Sequence, residues 1–106
     1  MQKIRTALIQ QSNGADLEAN TAKLEANIRK AAAEGAQLVV LQELHNSLYF
    51  CQTEDTGVFD LAEPIPGPST ERFGALAGEL GIVLVTSLFE RRAPGLYHNT
   101  AVVFER

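Results

Sequence analysis

The sequence predicts an α/β protein in which a mixed sheet carries two helices on one face. Two observations point there. Short apolar runs alternate with stretches of helical period, in the order strand, helix, strand, long loop, helix, strand, strand. The runs Leu38–Leu41 and Ile82–Val85 are also apolar at every position, as in strands buried on both faces. Strand–helix–strand units cross over right-handed, which places both helices on the same side of the sheet.

The elements follow in order. Lys3 to Gln10 reads as a strand, with Ile4, Thr6 and Leu8 on one face and Arg5, Ala7 and Ile9 on the other. Ser12-Asn13-Gly14 is a turn. From Asp16 to Glu34 the period is helical, with Leu17, Leu24, Ile28 and Ala31 on one face and Glu25 four residues before Arg29 on the surface. Gly35 ends that helix, because it adopts a left-handed conformation without a Cβ clash. After the strand Leu38–Leu41, a loop runs from Leu44 to Pro68 and closes on Pro64-Ile65-Pro66-Gly67-Pro68. Loops this long inside compact domains are usually functional. Ser69 is the expected N-cap of the second helix, whose buried stripe is Phe73, Leu76, Ala77 and Leu80 and whose stop is Gly81. A strand then runs from Ile82 to Phe89. Glu90 to Gly95 reads as a polar connection, and a last strand spans about His98 to Phe104.

With 106 residues, the chain holds one domain, residues 1–106. Hydrophobic residues make up 45% and charged residues 21%, enough apolar surface to offset the entropy of ordering. The net charge is -4 and no basic run is longer than Arg91-Arg92, so no nucleic-acid surface is expected. No apolar run approaches the ~20 residues of a membrane span, and the N-terminus lacks the apolar core of a signal peptide. A single cysteine, Cys51, excludes an internal disulfide and a cysteine-only metal site. A soluble cytoplasmic protein is expected. The two helices can cover only one face of strands that are apolar on both, and few elements remain to cover the other. The domain is therefore expected to be incomplete.

Glu43 stands out by position. Reactive groups in open α/β sheets gather just past the carboxyl ends of strands, and Glu43 follows Leu38–Leu41. A carboxylate there, walled by apolar neighbours, is suited to general-base work. Position alone also admits a carboxylate that caps a loop or pairs with a surface cation. Cys51 lies in mid-loop with no helix N-terminus or cationic neighbour to activate its thiol, so it reads as a packed loop residue rather than a nucleophile. His45 and His98 lack a third ligand at helical or turn spacing, and no metal site is expected. Asn99 reads as a structural residue bonding backbone at the start of its strand.

The segment Gly35-Ala36-Gln37-Leu38-Val39-Val40-Leu41-Gln42-Glu43-Leu44 resembles the part of the nitrilase superfamily in which a buried strand delivers the first member of a Glu-Lys-Cys triad. Asn20, Glu79-Leu80-Gly81 and Tyr97-His98-Asn99-Thr100-Ala101 agree in order and spacing, and Leu48-Tyr49-Phe50-Cys51-Gln52 resembles the N-carbamoylputrescine amidase branch. Gln42 stands where that superfamily usually has proline. The resemblance implies the N-terminal part of an α-β-β-α sandwich, roughly the first third of such a protein and so incomplete at its C-terminus, that associates into homo-oligomers. It implies hydrolysis of a non-peptide carbon–nitrogen bond, N-carbamoylputrescine giving putrescine, carbon dioxide and ammonia. A cysteine thiolate attacks the carbonyl, a lysine stabilises the oxyanion, and the glutamate moves protons. By position that glutamate is Glu43, while the lysine and cysteine match no residue of the chain. A small-molecule amide or ureido substrate is implied, and no cofactor. Tyr49, Phe50 and His45 are the expected substrate-binding residues near the pocket mouth, the two aromatics equally able to anchor the loop to the core. Two alternatives stay open: a related omega-amidase or other N-carbamoyl amide hydrolase, and a non-catalytic fragment that binds a small molecule or a partner.

Overall fold

Each helix boundary is set by a side chain or glycine placed where the chain must change conformation. The computed structural model describes residues 3–43, 45 and 61–106. Among them six elements succeed one another: β1 (Thr6–Ile9), α1 (Leu17–Ala33), β2 (Leu38–Leu41), α2 (Pro68–Leu80), β3 (Val83–Ala93) and β4 (Leu96–Phe104). Asp16 caps α1, its carboxylate accepting from the N–H groups of Glu18 at 3.0 Å and Ala19 at 3.2 Å. At the far end Gly35 takes φ 95, and Arg5 Nη1 donates to the Glu34 carbonyl at 2.6 Å. A cation is favourable there because the helix presents its unpaired carbonyls at that end.

The start of α2 differs from the sequence expectation. Gly67, not Ser69, is the N-cap, and Pro68 occupies the first helical position, where its missing N–H costs nothing. Glu63 supplies the carboxylate that Gly67 lacks, accepting from Ser69 N–H at 2.8 Å and from the Ser69 hydroxyl at 2.9 Å. Gly67 is required for space: a Cβ there would lie 2.3 Å from the Pro64 carbonyl oxygen. The helix ends at Gly81, with φ 65.

The sheet order is β1-β2-β3-β4, with β1, β2 and β3 parallel and β4 antiparallel to β3. This is the mixed sheet the sequence predicts. β1 is shorter than Lys3–Gln10 because its partner offers only Leu38 to Leu41 for pairing. The segment from Glu90 onward is likewise not a loose connection. β3 continues to Ala93, Gly95 turns the chain at φ 77, and β4 begins at Leu96, with Glu90 opposite His98 and Arg91 opposite Tyr97. Polar residues pair readily in a hairpin that extends beyond the core, so their polarity did not signal a loop.

One core lies between the sheet and the helices. Leu24 and Ile28 of α1 and Phe73, Leu76 and Ala77 of α2 pack on Val39, Leu41 and Leu84. The two helices lie side by side on this face, tied by Arg72, which reaches Glu18 and Glu25 at 3.0 Å each, and by Arg29, which pairs with Glu25 at 3.1 Å and with Glu79. The expected support of Arg29 by Glu25 is thus part of a wider ionic tie. The other face carries a row set by strand register, Leu8 beside Val40, Val40 beside Val85, and Val85 beside Val103. Leu8 is 78% exposed and Val103 58%.

Candidate active site

The carboxyl ends of β1 and β2 are held by side-chain amides. Asn20, buried on α1, brackets Gly14: its Nδ2 donates to the Gly14 carbonyl and its Oδ1 accepts the Gly14 N–H, both at 2.9 Å. Gln11 donates from Nε2 to Asn13 Oδ1 at 2.9 Å and to the Asn20 carbonyl at 3.2 Å. Gln42 joins the two strand ends, its Oε1 accepting from Gln11 N–H at 2.8 Å. Asn13 then donates to the His45 carbonyl at 2.9 Å, clamping the backbone just beyond Glu43. Buried amides bonded at both ends fix backbone that no ladder reaches.

Glu43 follows β2 by two residues and is exposed. Its Oε1 accepts a hydrogen bond from Asn99 Nδ2 at 2.5 Å, and Asn99 Oδ1 accepts from the Ser87 hydroxyl at 2.9 Å. Ser87 and Asn99 belong to the face opposite the helices, since Leu84, Thr86 and Leu88 of the same strand are buried beneath α2 and alternate with it. The apolar enclosure expected around Glu43 is not formed by the described residues. Its side-chain partner is polar, and on the same face the rings of Phe89 and Tyr97 lie tilted against each other with centroids 5.6 Å apart, Phe89 directly across from Asn99.

His45 is placed otherwise than expected. Its ring is wholly buried, edge-on to Phe73 at 5.1 Å between centroids, so it belongs to the helix side and not to the face that Glu43 shares with Asn99. A pocket-mouth position needed exposure, and the packing of Phe73 takes that away. His98 lies on the β4 edge, exposed and across from Glu90. Tyr49, Phe50 and Cys51 lie outside the described residues. Asn99 is the residue that reading the sequence undervalued: its side chain meets a carboxylate rather than backbone. A signal was available, because Tyr97 and Asn99 alternate onto one face with Ala101, away from His98 and Thr100.

A carboxylate anchored through one oxygen and exposed at a strand end can exchange protons with a group brought against it. Comparison with known proteins gives the family. The sequence profile of the carbon-nitrogen hydrolase family matches residues 5–106. The chain is 36% identical to a citrullinase of Francisella tularensis over 97% of its own length, and 37% identical to an N-carbamoylputrescine amidase of Solanum lycopersicum over 83%. It spans 36% and 30% of the lengths of those two relatives. Among solved structures, a carbon-nitrogen hydrolase from Helicobacter pylori superposes with a TM-score of 0.83 at 37% identity, over 96% of this chain and 35% of that one. Saccharomyces cerevisiae Nit3, a nitrilase-superfamily member, superposes with a TM-score of 0.70 at 27% identity, over 87% of this chain and 35% of its own. A mixed sheet with two helices, a glutamate past its second strand and a family match across nearly every residue together place the chain in the carbon-nitrogen hydrolase family of the nitrilase superfamily.

Proposed function

We propose that the protein containing this chain hydrolyses the ureido group of N-carbamoylputrescine, with Glu43 as its general base. The observation that carries the reading is the position of Glu43, two residues past β2 on the face away from the helices, with one carboxylate oxygen held and the side chain exposed. Citrulline and N-carbamoylputrescine both end in a terminal ureido group, and relatives named for each match most of this chain. That shared chemistry favours a ureido substrate over a simple amide, although an omega-amidase of Xenopus tropicalis is 42% identical over 73% of the chain.

In this reading a cysteine thiolate attacks the ureido carbonyl after Glu43 accepts the thiol proton. Glu43 returns that proton to the departing nitrogen, and water then hydrolyses the covalent intermediate, with Glu43 again accepting a proton. The cysteine, and a lysine that stabilises the oxyanion, come from outside residues 1–106. Tyr49 and Phe50 are the substrate-binding residues of this reading. His45, from the core side, supports the strand end that carries the base.

The test is Glu43→Gln in the complete protein, which keeps the shape and removes the proton acceptor. Turnover of N-carbamoylputrescine should fall by roughly a hundredfold or more. Retention of over half the native rate refutes Glu43 as base. A higher kcat/KM for citrulline or for a dicarboxylic acid monoamide than for N-carbamoylputrescine refutes the substrate while leaving the base in place.

A further inference from the structure

Ser87, Asn99 and Glu43 form a line of side-chain hydrogen bonds that crosses from β3 to β4 and ends on the loop after β2. The residues are far apart in sequence. Asn99 is 56 positions from Glu43, and Ser87 is a diagonal cross-strand neighbour of Asn99, being paired with Ala101. Chemistry orders the line. An ionised carboxylate only accepts, so the Asn99 amide turns Nδ2 toward Glu43 and leaves Oδ1 for Ser87, whose hydroxyl then donates. Glu43 itself lies beyond the paired part of β2, which ends at Leu41. Among the described residues the strand pairing stops short of Glu43, so the ladder does not position its side chain, and a base must hold its geometry within roughly half an ångström.

We propose that Asn99, oriented by Ser87, is the positioning residue of Glu43: it fixes one carboxylate oxygen so that the other meets the proton it must take. This rests on Glu43 being the base. The amide also restrains without competing, since a neutral donor binds the carboxylate yet carries no full charge that would hold it as firmly as an ammonium or guanidinium. The role of Ser87 is smaller: the carboxylate favours one orientation of the amide, and the Ser87 hydroxyl holds the amide in it.

The test compares Asn99→Asp, Asn99→Ala, Ser87→Ala and Glu43→Gln in the complete enzyme, by steady-state kinetics on the substrate it turns over best. Asn99→Asp keeps the shape and an acceptor for Ser87, but removes the donor and sets a second negative charge against Glu43. We expect it to lower kcat by about thirtyfold or more with KM within about threefold, the pattern of an interaction used in the transition state. Asn99→Ala should be less damaging than Asn99→Asp. A merely structural role predicts the reverse order, the near-isosteric aspartate being milder. In the Glu43→Gln background Asn99→Ala should add less than about twofold, because no base remains to be positioned. Asn99→Asp retaining more than half of kcat, or proving milder than alanine, overturns the proposal while Glu43 stands. An active Glu43→Gln enzyme removes both. If either Asn99 variant loses its cooperative melt, Ser87→Ala decides: a loss of about threefold or more in kcat at unchanged KM is expected, and an unchanged kcat overturns the proposal.

Discussion

Residues 1–106 on their own should self-associate through the row Leu8, Val40, Val85 and Val103, and replacing its two ends by glutamate should break that association. The magnitude follows from exposure. Burying a whole Leu or Val side chain is worth roughly 1.5–3 kcal/mol. Leu8 is 78% exposed and Val103 58%, so covering both recovers about 2–4 kcal/mol in each copy of the chain. Two copies packed face to face recover about 4–8 kcal/mol from these four side chains, before the cost of association. Even the lower figure corresponds to about a thousandfold in dissociation constant, at 1.4 kcal/mol per tenfold. The double variant Leu8→Glu with Val103→Glu loses that contribution and sets like charges against one another. Neither residue belongs to the buried cluster under the helices, so the fold itself should persist. Light scattering coupled to size exclusion, run across a dilution series, gives the mass of each chain directly. The native chain should exceed monomer mass at concentrations where the variant is monomeric. A native chain that stays monomeric throughout, with a cooperative melt, refutes the reasoning; so does a variant that associates as strongly as the native chain.

Two further outcomes test the helix layer in the complete protein. Arg72→Met should cost about 1 kcal/mol at neutral pH and low salt, because it removes two part-exposed ion pairs. The Arg72 and Arg29 guanidiniums hold the Glu25 carboxyl below its ordinary range. A depressed folded-state value adds stability above the unfolded value of 4.5, and that stability is lost as pH falls through the folded value. The gap between native and variant in urea unfolding should therefore close in acid, and an undiminished gap at low pH would show that the loss is not electrostatic. Phe73→Ala removes a ring with no exposed surface that also supports His45, and should cost about 3–5 kcal/mol in chemical unfolding. A loss below about 1 kcal/mol would mean the core closes around the gap far better than cores of this kind do.

Features written in local patterns were legible before any coordinates. The period of 3.6 marked both helices, Gly35 and Gly81 marked their ends, and the unbroken apolar runs marked β2 and the start of β3. Glu43 was legible too, since a carboxylate just past a buried strand is a local fact with a topological meaning. What failed to read correctly depended on partners remote in sequence. Ser69 looked like an N-cap until Glu63, six residues upstream, took that part through the fold of the intervening turn. Glu90 to Gly95 looked like a loop because polarity says nothing about whether a second strand lies alongside. His45 was expected near the pocket mouth, and only the seat of Phe73 places its ring in the core instead.

By itself, then, the sequence determined which stretches become helix or strand, which faces are apolar and where the Glu43 carboxylate falls, because backbone preference and hydrophobic period act over a few residues. Tertiary structure alone decided what that carboxylate touches. The contact between Glu43 and Asn99 exists only because β4 pairs antiparallel to β3 in one register, setting Ser87 and Asn99 on one face. A shift of one residue would turn Asn99 to the opposite side of the sheet, and register is set by the burial of a whole face rather than by any residue near the site.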